Sequence, residues 1–413
     1  MRVFVTDGDQ RPALAITRSL GRRGVEVIVG EARSASLASS SRYAAGHRTY
    51  PSPHNEPRAF DRFMDDLVTR ERFDVVMPVT DVTTYMVARR QDELRQHTTV
   101  AAPPFDAFDF VSDKSRLLRQ AATRGVSIPR TFFVDGPATV RRIVSHLEYP
   151  AVIKPYRSRI PTESGWLSTM VRYASSESEL LHLYDTIDYL GSTPSMIQER
   201  VIGPGTGIFL LCDHGRLLTA FAHRRLREKP PSGGVSVLSE SIPVDRCLRD
   251  EAMSLLAPLG WHGVAMVEYK QDRRTGRHVL MEVNGRFWGS LQLAVDAGID
   301  FPYLCYRLAL REPVDLPPAY TVGIKSRWLL GDLDHLLIRL RGRRREGLPT
   351  ESSRLRALID FLRSPKRGSQ DVFRRDDPRP MFHELWQYLR TLFGSKAIRT
   401  LEIDGDKGKA HAL

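Results

Sequence analysis

Cysteine is scarce in this sequence, and so, within its basic residues, is lysine. Cys212, Cys247 and Cys305 are the only three cysteines among 413 residues. Their number is odd, they lie far apart, and no CxxC pair occurs. The sequence therefore argues against a disulfide framework and a structural zinc site, and a reducing cytoplasm is the expected compartment. No apolar run approaches the ~20 residues that a helix needs to span a bilayer. The opening MRVFVTDGDQ has no charged stretch leading into a long apolar one, so it reads as a first strand and not a signal peptide. The first strand–helix turn, TDGDQRP, lacks GxGxxG, which removes the warrant for a dinucleotide site there. Zinc-finger, RRM and KH signatures are also missing.

The formal net charge is +12 and the pI about 9.8. Residues 331–413 carry 18 Lys+Arg against 12 Asp+Glu, so half the excess sits in the last fifth of the chain. That distribution fits arginine-rich solvated helix faces better than a nucleic-acid surface. The run RLRGRRR at 339–345 is the one stretch that would favour polyanions. Lysine usage says more. Nine of the 61 basic residues are Lys, and before residue 229 only Lys114 and Lys154 occur. Lys is a compact point charge and a common phosphate binder, which Arg's planar fork does not duplicate.

What is present has α/β order. MRVFVTDGD, PALAITRSLGRRG and VEVIVG read as strand, helix and strand, the opening of a parallel sheet. RFDVVMPV and TTVAAP add strands, so residues 1–112 form a small doubly wound domain. Ser112 or Asp113 caps a helix that runs to Gly125 and holds Lys114 in its first turn. YPAVIKPY is a strand ending near Lys154, RSRIPTESGW a polar loop, and residues from about 130 to 195 a separate lobe. SMIQERVIG is a strand entering a Gly/Pro turn. Two hairpins follow, turning at Asp213–Gly215 and near Arg274–Gly276. From about 311 to 413 the chain is basic and helical, and its end, DGDKGKAHAL, reads as disordered.

The second hairpin carries the chemistry. In AMVEYK and VLMEVNGRFWGS, Glu268 and Glu282 fall almost opposite each other. Alternation puts Glu282, Asn284 and Arg286 on one face. Two carboxylates and an amide are hard oxygen donors suited to Mg²⁺, while Arg286 can balance charge or grip a phosphoryl group. Solvent-facing carboxylates paired with Arg273 or Arg286 are the plainer reading of the same residues.

Taken in order, these pieces resemble the ATP-grasp superfamily over residues 1 to about 310. They are an α/β domain, Asp113–Lys114 at a helix start, Lys154 in VIKP, a lid loop, the strand MIQERVIG, then Glu268 and Glu282-x-Asn284. The resemblance implies a Rossmann-like pre-ATP-grasp domain (1–112), a two-lobed ATP-grasp domain (113–310) and a helical extension (311–413). It implies that Lys114 and Lys154 contact ATP phosphates, and that Gln198, Glu199 and Val201 line the adenine hinge. Glu268, Glu282 and Asn284 would hold one or two Mg²⁺, with Mn²⁺ able to replace it. Arg286 would face the transferred phosphoryl group. The lid departs from the pattern: RSRIPTESGW offers Gly165 alone, with Arg157, Ser158, Arg159 and Ser164 as substitute donors. Arg225 and Arg227, before a Gly-rich loop, would line the acceptor pocket. The implied activity joins a small carboxylate to an amine through an acyl phosphate, releasing ADP. A bicarbonate-activating enzyme and a non-catalytic nucleotide binder are the alternatives. A homo-oligomer fits the helical extension.

Overall fold

The computed structural model describes residues 1–231, 233–341, 354–363 and 368–393. The first sheet is parallel, in the order Gly46–Thr49, Glu26–Glu31, Arg2–Val5, Val75–Met77 and Thr99–Val100. A parallel sheet is covered on both faces, which is why the central strands are buried and apolar along Val3–Val5, Val27–Val29 and Val75–Met77. Val3 and Val5 pack on helix Arg11–Gly21, while Phe4 between them packs on helix Pro57–Glu71. The carboxyl ends of these strands, at Thr6–Asp7, Glu31 and the 78–81 turn, open on the crevice where such sheets bind ligands.

The second sheet is antiparallel, in the order Arg172–Ala174, Ala151–Pro155, Ser195–Glu199 and Thr131–Val134. Ile153 and Ile197 point into a small core with Leu180 and Tyr184. By alternation Lys154, opposite Met196, and Val152, opposite Gln198, share the other face. The segment expected to be a polar loop is instead a two-stranded hairpin, Arg159–Thr162 against Gly165–Ser168. Its apolar content is too small to give a strand signal.

The third sheet has seven strands: His278–Asn284, Gly263–Gln271, Gly205–Asp213, Arg216–Lys229, Val235–Ile242, Lys325–Arg327 and Gly368–Gln370. All pairs are antiparallel except the last. The helical extension is there, in helices Leu329–Arg341, Arg354–Leu362 and Arg379–Phe393. It also contributes the last two strands of the sheet. KSR and GSQ are too short and polar to show a period, so the sequence reads them as irregular. The basic run beyond Arg341 and the segment DGDKGKAHAL lie outside the described residues.

Candidate functional site

The hairpin of Gly263–Gln271 and His278–Asn284 places Glu268 directly opposite Glu282, and Met266 opposite Asn284. Two facing carboxylates repel unless cations intervene, and cations surround both. Arg225 Nη2 donates to Glu268 Oε2 at 2.5 Å, while its Nη1 reaches Glu228 Oε1 at 2.9 Å. Lys114 Nζ stands 3.7 Å from Glu282 Oε2. The two acids respond differently. Burial pushes the Glu268 carboxyl up, and the neighbouring Glu282 charge adds to this, so that Arg225 offsets only part of the rise. Burial also pushes Glu282 up, but Lys114, Lys154 and a hydrogen bond from Asn284 outweigh it and hold that carboxyl below its usual range. Glu282 is thus the firmly ionised member.

Lys154 is the residue that calls for an anion. Among the described residues no hydrogen bond or ion pair satisfies its Nζ. Burial brings the ammonium down to about 8, and Lys114 and Lys270 add to that against the pull of Glu282. On the same face of the lobe, Gln198 Nε2 donates to Thr131 Oγ1 at 2.9 Å while its buried Oε1 has no partner. Val201 is buried beside this strand. An unpaired cation, an orphaned amide acceptor and a pair of carboxylates fit a magnesium–nucleotide: phosphate oxygens at the lysines, a base amine at the hinge, hard donors for the ion. Because Lys154 is charged only below about 8, the affinity for ATP is expected to fall as pH rises through that value. Lys154→Arg, which stays protonated, removes this limb; an unchanged profile would show that Lys154 does not meet the phosphates.

The remaining expected site residues divide. Lys114 Nζ also donates to Ser158 Oγ at 2.9 Å, tying the helix start to the lid. Arg286 clamps Asp81 bidentately, Nε to Oδ1 at 2.9 Å and Nη2 to Oδ2 at 3.1 Å, and Nη2 also reaches Asn284 Oδ1 at 3.1 Å. It therefore links the hairpin to the crevice of the first sheet. Arg225 is engaged by two glutamates. Arg227 is not brought to the site: its Nη2 donates to the buried Asp332 at 2.6 Å and its Nη1 to the Asp360 carbonyl at 2.9 Å. The irregular pairing around Arg225 and Arg227 gives them different partners. Arg157 turns to Asp109, Nη1 to Oδ1 at 2.7 Å. Glu199 accepts from Arg130 N and Arg274 Nη2 at 3.2 and 3.3 Å. Gly285 is required by packing, since a Cβ there would lie 2.7 Å from the Trp261 ring and 2.9 Å from Phe108.

Gly165 has a packing role of its own. Its φ is 149°, and a Cβ would come within 2.4 Å of the His54 carbonyl oxygen. The neighbouring Trp166 meets Tyr85 edge-on at 5.0 Å. The lid hairpin is therefore seated on the first sheet's lobe. Gly165→Ala is expected to lift it and raise the ATP concentration at half-saturation about tenfold, roughly the effect of losing one to two kcal/mol of contact. Faster tryptic cleavage within 157–168 would report the opening, and unaltered nucleotide affinity would contradict it.

Two participants, Lys270 and Asp81, escaped the sequence reading, and one contact of a third residue did. Lys270, two residues past Glu268 in the same strand, carried the period-2 signal. Asp81 follows a parallel strand's carboxyl end, where such sheets place functional groups. Ser158 stood among the lid donors, but its partner Lys114 lies 44 residues away and only the fold joins them.

With this geometry in place, comparison is informative. The family described as "ATP-grasp in the biosynthetic pathway with Ter operon" matches residues 192–331, about a third of the chain. No curated protein matches. Among solved structures, L-amino acid ligase from Bacillus licheniformis is 18% identical with a TM-score of 0.58, over 75% of this chain and 74% of that one. The biotin carboxylase domain of Hydrogenobacter thermophilus 2-oxoglutarate carboxylase, in complex with MgADP, ADP and bicarbonate, is 14% identical with a TM-score of 0.61, over 78% and 73%. N5-carboxyaminoimidazole synthetase from Staphylococcus aureus is 10% identical with a TM-score of 0.58, over 78% and 80%. At these identities the likeness is one of fold.

Proposed function

From its ATP-grasp fold, we propose that the chain is a cytoplasmic ADP-forming ligase that activates a small carboxylate as an acyl phosphate and joins it to an amine or similar nucleophile. The observation that carries this reading is the facing pair Glu268 and Glu282 beside the unpaired cation Lys154. In it, residues 1–112 supply the crevice, 113–310 the nucleotide site and 311–413 a covering extension. Glu268, Glu282 and Asn284 would hold Mg²⁺, which supplies Lewis-acid charge neutralisation at the phosphates when bound. Lys154 and Lys114 spread phosphate charge, and Gln198 and Val201 line the adenine end. Arg286 holds Asn284 in place and fixes the crevice edge through Asp81, where the acceptor would enter. The seated lid keeps water from an activated acid.

The test is ADP and phosphate release with Mg-ATP, alone and with panels of carboxylic acids and amines. Release that needs both an acid and an amine supports the ligase. Release with bicarbonate alone favours the bicarbonate-activating alternative. ATP binding without release under every condition favours a nucleotide-binding role.

A further inference from the structure

Two helices of the extension are turned inside out. Helix Arg379–Phe393 exposes Phe382, Leu385, Trp386 and Leu389, one stripe at the i, i+3, i+4, i+7 spacing; Phe382 is 67% and Trp386 55% exposed. Apart from Pro380 and Met381 in its first turn, the side it packs inward makes polar contacts. Glu384 Oε1 accepts from Trp328 Nε1 at 2.7 Å, and Tyr388 OH donates to Asp334 Oδ1 at 2.6 Å. Helix Arg354–Leu362 repeats the arrangement. Leu355, Leu358, Ile359 and Leu362 are exposed at the same spacing, while Ala357 is buried and the Phe361 ring lies under Arg327. A helix on a water-facing surface keeps its apolar stripe inward, and contiguous exposed apolar stripes mark interaction surfaces.

The charges at these stripes have one sign. Each helix has a single carboxylate, and both are used on the inward side: Glu384 by Trp328, and Asp360 by Arg339 at 3.7 Å. The exposed charged groups in and beside the two helices include Arg354, Arg356, Arg363, Arg379 and Arg390, the last lying over the Trp386 ring at 4.4 Å. A nucleic acid would match this charge but offers no apolar phase. A second copy would offer the apolar phase but bring a like-charged rim against this one. An anionic bilayer supplies both, and as a fluid surface it conforms to two separate helical ridges. Leu, Trp and Phe between arginines is the composition of helices that lie in a lipid interface.

We propose that helices Arg354–Leu362 and Arg379–Phe393 dock the protein on an anionic membrane surface, with Phe382, Leu385, Trp386 and Leu389 inserted below the headgroups. The full chain is mixed with vesicles of phosphatidylcholine containing about 30% phosphatidylserine, and with phosphatidylcholine alone. Sedimentation with the anionic vesicles, reversed by salt and weakened at least about tenfold by Leu385→Glu or Leu358→Glu, is the expected result. These positions are exposed, so thermal unfolding of each variant should match the parent. The proposal is overturned by no vesicle binding, by equal affinity for neutral vesicles, or by binding that neither substitution changes. It is also overturned if Leu385→Glu converts a dimer to a monomer in sedimentation equilibrium without altering vesicle binding. Binding is read without turnover, so failure of the ligase reading leaves this test intact.

Discussion

Glu282→Gln should abolish nucleotide turnover, lowering ADP release by about a thousandfold, the scale on which loss of a metal-holding charge removes transition-state stabilisation. The fold should survive, because Glu282 sits near the end of an edge strand and is only half-buried. Glu268 is the useful contrast. Its carboxylate is hydrogen-bonded by Arg225, which also ties Glu228 and the Gly234 carbonyl, so Glu268→Gln disturbs a structural cluster as well as the ion. Glu282 has the lysines instead. Removing its charge leaves Lys114 and Lys154 facing each other with less opposition. Two readouts then separate. Magnesium-dependent turnover should collapse, while metal-free binding of the nucleotide polyanion should hold or tighten. Turnover within tenfold of the parent would remove Glu282 from the metal site.

The difference between what was readable in the sequence and what was not follows the range of the interactions. Glu268, Glu282 and Asn284 lie in one hairpin whose turn is marked by Thr275 and Gly276, so period-2 alternation brings them together without tertiary knowledge. Four of the five strands of the first sheet were readable from their apolar content and βαβ spacing, while Gly46–Thr49, short and polar, gave no strand signal. Asp81 and Arg286 are 205 residues apart, and nothing local in either segment names the other. Arg227 fails for another reason. It was read with Arg225 as one basic strand end, but irregular pairing between them gives Arg227 to Asp332, a residue of the extension. The extension itself was underread because its strands are three residues long and two of its three described helices carry their apolar stripes outward, so periodicity predicts those helices but reverses the face.

The extension also holds the other large effect. Asp377→Ala should cost about 3–5 kcal/mol of stability, the usual result of stranding one member of a buried ion pair. Arg18, in the first helix, and Asp377 are 1% and 0% exposed, with Nε 2.8 Å from Oδ2. Burial depresses the Arg18 guanidinium and Asp377 offsets only part of that, so without the carboxylate the charge would rest on the carbonyls of Asp371, Val372 and residue 377. Ser41 Oγ and Arg42 N would lose the same acceptor. The neighbouring residue is an internal control. Asp376 pairs with Arg22 at 2.6 Å, but those side chains are 47% and 36% exposed, and water screens such a pair. Asp376→Ala should therefore change stability by less than about 1 kcal/mol. Guanidinium unfolding at neutral pH compares the two, and hydrogen exchange in helix Arg11–Gly21 locates the loss, which should appear there first because Arg18 anchors that helix to the extension. If both variants unfold at the parent's midpoint, the extension does not clamp the first helix; if both fall equally, burial is not what distinguishes these adjacent aspartates.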